Sequence, residues 1–248
     1  MQALVTQGLQ INRRHPDARG CIWALPMMEQ SGDVVRDASR KLSNGLGATV
    51  WTGTRSWANI RRGKAVSVNS TNYIATQSAG TPWANTWSVM LTVRFTSSPG
   101  ACMVRCGGFV FGDSACVLKV YTEAGASVAA STFPAMTAGL EYVVGARWRS
   151  SDNLVTFFKD GAKQDIAGAA IATSSVTTNL INWPINSSFV GLFHDVRIWD
   201  RYMPDAAFAR YYANPNAFYT AVQPWHFKGL VGFNAGRFLP FMHPSFQS

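Results

Sequence analysis

The chain has 248 residues, 47% of them hydrophobic and only 14% charged, and its 22 lysines and arginines outnumber 13 acids to give a formal charge of +9. That length admits one sizeable sandwich with its own core or at most two small domains, and the excess of basic residues favours acidic partners. No stretch approaches the roughly 20 apolar residues of a membrane-spanning helix, and residues 1–19 hold no apolar core of the kind a secretory signal needs, so no membrane partner is expected and the protein is expected to mature in the cytoplasm that makes it.

Residues 1–19 have no sustained period and read as an arm leading into the fold. His15 beside Pro16 suits a local turn or packing role, with a ligand or base as the alternative. The basic residues fall in small groups, Arg13-Arg14, Arg61-Arg62 with Lys64, and Arg147 with Arg149. None is long enough for a nucleic-acid arm, so direct nucleic-acid binding is not expected. The four cysteines, Cys21, Cys102, Cys106 and Cys116, read as thiols. Cys102 and Cys106 lack zinc-ribbon spacing and a second pair, so they read as small buried hydrophobes rather than a metal site.

Trp51 to Lys64, WTGTRSWANIRRGK, is rich in aromatic and basic residues and fits an end loop or a short edge strand. Trp51 and Trp57 are candidate glycan-stacking platforms, since a flat ring matches the C–H face of a pyranose; tryptophans also fill all-β cores. Val89 to Phe95 is the cleanest strand. Val89, Leu91, Val93 and Phe95 point to a core, while Ser88, Met90, Thr92 and Arg94 point to water. Strands follow at Met103–Cys106, Phe109–Phe111 and Cys116–Tyr121, with breaks at Gly107-Gly108 and Gly112-Asp113.

Tyr142, Val144, Ala146 and Trp148 alternate onto one side of the next strand, and Leu154–Phe158 runs to Asp160-Gly161, a pair suited to the positive φ of a tight hairpin. Residues 167–178 read as a loop or weak edge strand. In FVGLFHDVRIWDRYMPDAAFARYY, from Phe189 to Tyr212, Val196 and Ile198 alternate with Asp195, Arg197 and Trp199, which predicts one buried and one exposed face. From Pro204 the period becomes helical, with Phe208, Tyr211 and Tyr212 on the side of Met203, until Asn214-Pro215 stops it. The tail carries Phe218, Tyr219, Trp225, Phe227, Phe238 and Phe241 without one acid, and must dock on its own sandwich or on a neighbouring subunit. Short strands at this spacing, with no helical pattern between them, predict an all-β antiparallel sandwich.

The stretch from Val196 through the short helix resembles the last strand of the laminin-G-like, concanavalin A-like jelly rolls. CIWALPMMEQSGDVVRDASRKLSNG, Cys21 to Gly45, looks like that family's opening strand and following turns, and Phe158-Lys159-Asp160-Gly161 like its "Tyr-x-Asp-Gly" hairpin. The resemblance covers residues 20–212 and implies an N-terminal arm over 1–19, a jelly roll over 20–212 and an aromatic extension over 213–248. The lead-in "Asn-Arg-x-His-Pro-x-Ala-Arg-Gly" is similar to that of jelly-roll proteins encoded by tailed phages and prophages. This implies a non-enzymatic virion structural protein, a capsid or tail decoration. Its partners would be other virion proteins or copies of itself, held by Arg13, Arg14, His15, Phe218, Tyr219, Trp225, Phe227, Phe238 and Phe241, with host-surface glycans as further ligands. A lectin-like carbohydrate-binding module is the alternative.

Concanavalin A-like folds also house glycan hydrolases, which need two carboxylates facing across a sugar. Glu29, Glu123 and Glu141 are isolated, and Asp33/Asp37 and Asp195/Asp200/Asp205 are spaced four or five apart. Asp195 reads as a tie for the last strand, through Arg197. His15, His194, His226 and His243 lie near no nucleophile elbow. No enzyme and no cofactor are expected; Asp113 and Asp152 are loop acids too few to define a Ca²⁺ site.

Overall fold

The computed structural model describes residues 9–27, 34–36, 38–39, 48–52, 56–68, 73–77, 86–96, 101–106, 109–114, 117–122, 126–170, 178–181 and 190–221. In chain order its strands are β1 (Leu9–Ile11), β2 (Cys21–Leu25), β3 (Val34–Arg36), β4 (Ala48–Thr52), β5 (Ser56–Ile60), β6 (Gly63–Val68), β7 (Tyr73–Gln77), β8 (Thr86–Phe95) and β9 (Ala101–Cys106). They continue as β10 (Phe109–Ser114), β11 (Val117–Thr122), β12 (Ser127–Ala130), β13 (Glu141–Arg149), β14 (Leu154–Lys159), β15 (Ala162–Ala167), β16 (Thr178–Ile181) and β17 (Gly191–Trp199). Helix α1 (Asp205–Ala213), a 3₁₀ turn (Pro215–Phe218) and β18 (Tyr219–Ala221) close the described chain. No helix among the described residues is long and apolar enough to cross a membrane.

The architecture is an all-β antiparallel jelly-roll sandwich. One sheet has the order β12-β11-β10-β9-β16-β7-β4-β3, the other β15-β14-β13-β8-β17-β6-β5. Strand β17 holds the second sheet together: β8 lies along one side, while on the other Gly191–Phe193 pairs with β6 and Val196–Trp199 with β2. The changeover falls at a bulge containing His194 and Asp195.

The alternation in the sequence sets the inner faces. Val89, Leu91, Val93 and Phe95 of β8 and Tyr142, Val144, Ala146 and Trp148 of β13 all enter one core with Trp23, Leu25, Phe157, Val196 and Ile198. Withdrawing each large side chain from water contributes about 1.5–3 kcal/mol. The Asp160-Gly161 hairpin forms as expected, with φ of 48° and 85°, and joins β14 to β15. Gly112-Asp113, expected as a break, instead lies inside β10, where a bulge between Phe111 and Gly112 absorbs the irregularity.

The outer face of the second sheet is not wet. Ser88, Met90 and Thr92 are buried, and β17 is buried at every position, Asp195, Arg197 and Trp199 included. A third layer covers them. Helix α1 presents Ala207, Phe208 and Tyr211 to the sheet, and the helix ends where Pro215 follows Asn214. Phe208 stacks on Phe158, ring centroids 3.5 Å apart. The helix lies this close because Gly145 of β13 has no side chain: a Cβ there would stand 2.7 Å from the Val89 carbonyl and 2.9 Å from Phe208.

The described parts of both arms complete that cover. Strand β1 pairs antiparallel with β18, Leu9 opposite Ala221, and residues 12–20 run back over the sheet. Trp199 Nε1 donates to Asp17 O (2.8 Å), the Arg210 guanidinium pairs with the Asp17 carboxylate, and Asn12 N donates to Phe218 O (2.8 Å). The packing therefore continues through the boundaries expected at residues 20 and 212.

Candidate functional site

The cover is fastened around Arg197. The residue is 2% exposed, and its guanidinium bonds both Asp195 carboxylate oxygens and the Pro215 carbonyl and sits 4.2–4.8 Å from the rings of Phe218, Tyr211 and Tyr219. Burial opposes the charge on Arg197. Asp195 and the phenolic groups outweigh it, so the pKa lies above the ordinary arginine value. Burial and the Asp195 charge push the hydroxyls of Tyr211 and Tyr219 well up, so both stay protonated donors: Tyr211 to Asp195 O (2.8 Å) and Tyr219 to Asp195 Oδ1 (2.6 Å). Breaking a buried, satisfied pair of this kind by removing one partner costs about 3–5 kcal/mol.

Three of the residues expected to grip a neighbouring subunit make contacts within their own chain. Phe218 is 0% exposed within its own chain, His15 stands edge-on to Phe218 (5.3 Å), and the Tyr219 hydroxyl is taken by Asp195. Phe218 lies in this domain's second core with Tyr219 packed against it, while His15 and Tyr219 remain half-buried. Arg13 and Arg14 are exposed, while Trp225, Phe227, Phe238 and Phe241 lie outside the described residues.

A second, more open arrangement lies beside it. Between α1 and the outer face of β13 and β14 is a pocket of about 280 Å³. Met90, Val143, Phe158 and Phe208, all buried, form its apolar floor. Lys163, Asp205 and Tyr212, all partly exposed, stand at its mouth. Lys163 Nζ donates to Asp205 Oδ2 (3.0 Å) and lies 3.4 Å from Asp165, while Arg147 pairs with the other Asp205 oxygen and donates to Met203 O (2.6 Å). Arg147 also lies 4.3 Å from the Tyr202 ring, against which Arg149 rests from 4.8 Å. Partial burial works against the Asp205 carboxylate, but the hydrogen bond from Lys163 and the charge of Arg147 prevail and hold its pKa below the ordinary value. The same hydrogen bond raises Lys163. Two cations and two carboxylates thus cancel around the mouth.

The sequence nominated none of Lys163, Asp205, Tyr202 or Tyr212 as ligand-facing. The available signal was Arg147 and Arg149, two residues apart on the face of β13 opposite Ala146 and Trp148, where two guanidiniums needed partners from outside the sheet.

Trp57 of β5 packs against the main core with its indole N–H buried, which is the core alternative for this residue. Trp51 lies in β4 next to Ile74 of β7, and its side chain is outside the described residues. His194 is buried at the bulge and donates from Nδ1 to Lys64 O.

Asp17, Glu141, Asp152, Asp165, Asp195 and Asp205 each lie beside a cation: Arg210, Arg62, Arg149, Lys163, Arg197 and Arg147 respectively. A general acid needs a carboxyl whose pKa is raised, whereas a hydrogen bond from Arg149 lowers Asp152, and Asp205 is lowered as well. Among the described residues no three His, Cys, Asp or Glu gather as metal ligands.

No protein-family model and no curated protein matches the chain. Solved structures share its fold. The chain is similar to domain 4 of AbnA, a GH43 extracellular arabinanase from Geobacillus stearothermophilus solved with arabinotriose, at 14% identity and a TM-score of 0.59, over 76% of this chain and 96% of that one. It is likewise similar to the binding domain of botulinum neurotoxin serotype D/C, at 11% identity and a TM-score of 0.59, over 79% of this chain and 52% of that one. A structure of botulinum neurotoxin type C, whose cell entry depends on two ganglioside molecules, matches at 11% identity and a TM-score of 0.58, over 79% and 51% of the two chains. The chain spans about half the length of the toxin chains it resembles. At these identities the likeness defines the fold.

Proposed function

We propose that this chain is a non-catalytic glycan-binding module, a jelly roll that holds its parent assembly to a sugar-bearing surface. The reading rests on the sandwich. Its fold is shared, over almost the full length of AbnA domain 4, with a domain solved holding arabinotriose, and toxin structures of the same fold include one tied to gangliosides. The pairing of six described carboxylates with cations supports binding over hydrolysis, because an inverting or retaining glycosidase needs one carboxyl kept protonated opposite another kept charged. The test is a glycan array probed with the full chain at modest salt, with and without calcium. Saturable hits without sugar release are expected. An array with no hits, or release of reducing sugar from a bound polysaccharide, would overturn the reading.

A second reading places the module on a tailed-phage particle, as a capsid or tail accessory protein contacting other virion proteins or its own copies. It is favoured by the lead-in from Asn12 to Gly20 and by the aromatic segment from Val222 onward, which has no acid. Because Asp17 and Phe218 are buried in their own domain, the anchor in this reading is the segment after Ala221 with the exposed Arg13 and Arg14. Its test is the presence of the protein as a band in purified particles, and absence from intact virions removes it.

A further inference from the structure

We propose that the pocket under α1 is a binding site for a single neutral sugar residue. The proposal rests on the glycan reading and gives it a place, one that the sequence did not indicate and that differs from the tryptophans it did nominate. Size is the first consideration. Pockets for small-molecule ligands begin at about 300 Å³. At about 280 Å³, this one suits one ring, with the rest of any chain left in solvent.

The lining chemistry is that of a pyranose, apolar on its C–H face and polar at its edge. Met90, Val143, Phe158 and Phe208 offer a floor with no donor and, apart from the weakly accepting Met90 sulfur, no acceptor on any side chain. At the mouth, Tyr212 is 39% exposed and fixed from two sides. Arg62 lies 5.4 Å from its ring centroid and donates to its backbone carbonyl (2.9 Å), and the ring edge rests over Gly161, where a Cβ would come within 3.3 Å. A ring already held in place costs little ordering entropy when a sugar stacks on it. Beside it the Lys163–Asp205 pair offers ammonium donors and a carboxylate acceptor, the combination that two adjacent hydroxyls can engage together.

Charge selects the class of sugar. The chain carries +9 overall, yet around this mouth Lys163 and Arg147 are offset by Asp205 and Asp165. Arg62, the further cation beside Tyr212, is itself paired with Glu141 (3.3 Å), so a uronate or sulfate placed here would meet the Asp205 carboxylate with no unpaired cation among the described lining residues to receive it. A neutral sugar meets no such penalty. The opening itself exists because α1 presents Ala206 and Ala209, both exposed, along this edge. Larger side chains at either position would fill it.

The test uses the full chain and ligand-observed NMR saturation transfer with glucose, galactose, arabinose, N-acetylglucosamine and glucuronic acid. At least one neutral sugar is expected to bind with a millimolar Kd and glucuronic acid to show no transfer. Ala209→Trp, which lays an indole across the mouth from an exposed helix position, is expected to weaken binding about ten-fold or more at an unchanged melting temperature. Tyr212→Ala serves as the second variant should the first not fold, with the same loss expected. Preference for glucuronic acid overturns the neutral class, and undiminished binding by folded Ala209→Trp and Tyr212→Ala overturns the site. Array hits that persist in those variants overturn the pocket but leave the glycan reading standing, whereas an array without hits removes both.

Discussion

His15 and Asp17 show how much of the cover hangs on single side chains. The Asp17 backbone N–H donates to His15 Nδ1 (3.2 Å), so the ring is unprotonated at that nitrogen; the Asp17 carboxylate lies 3.7 Å from it, and the ring stands edge-on to Phe218. Burial lowers the His15 pKa below its ordinary 6.5; Arg197 and Arg210 add to this, and Asp17 opposes it. Above pH 6.5 the group is neutral in both folded and unfolded chains and its stabilising contribution is complete. As pH falls below that value the unfolded chain takes up the proton first, and stability declines until the folded-state pKa is reached. His15→Gln should therefore flatten the melting-temperature profile in the window just below pH 6.5; an acid limb identical to wild type would remove His15 as its source. The Asp195–Arg197 pairing was legible from residues two apart on one strand. The role of Asp17 was not, because its partner Arg210 is 193 positions away and no local pattern joins them.

At the scale of elements, alternation located the strands and their core faces, since period two is a local property that survives whatever covers the sheet. It could not say what lay on the opposite face. Ser88, Thr92, Arg147 and Thr156 look like solvent-facing residues in sequence, and each is buried because a layer formed by later residues satisfies it: Ser88 accepts from Met203 N (2.9 Å), and Thr92 meets the Tyr211 hydroxyl (3.3 Å). The clue was Met90, Val143 and Gly145, apolar or absent side chains on a face read as wet, opposite a helix with Phe208 and Tyr211 to bury. Gly145→Ala tests that docking. With backbone on one side of the new Cβ and a stacked ring on the other, α1 must shift, at a cost of about 1–3 kcal/mol. A denaturant midpoint equal to wild type would show that the close approach contributes nothing.

Across the whole molecule, a chain only 14% charged must place its apolar residues either in a large core or under partner chains. Within the described residues, the former has direct support: one core between the sheets and a second beneath α1 and the arms. Two truncations separate the roles of the C-terminal residues. Ending the chain after Ala221 keeps every described contact and should leave the melting temperature close to that of the full chain. Ending it after Tyr212 removes Phe218, Tyr219 and the Pro215 carbonyl from around Arg197, and should destabilise by more than about 3 kcal/mol, the cost of losing one buried phenylalanine. Equal melting temperatures for the two would mean that the ribbon and its aromatic cluster are ornamental.

The β1–β18 ribbon also fixes where the polypeptide enters and leaves. Leu9 faces Ala221 across a ladder, so whatever comes before and after departs from two adjoining backbone positions. A unit with such neighbouring gates can be spliced into a surface loop of an unrelated carrier without stretching it, and circular permutants joined across that gap should fold.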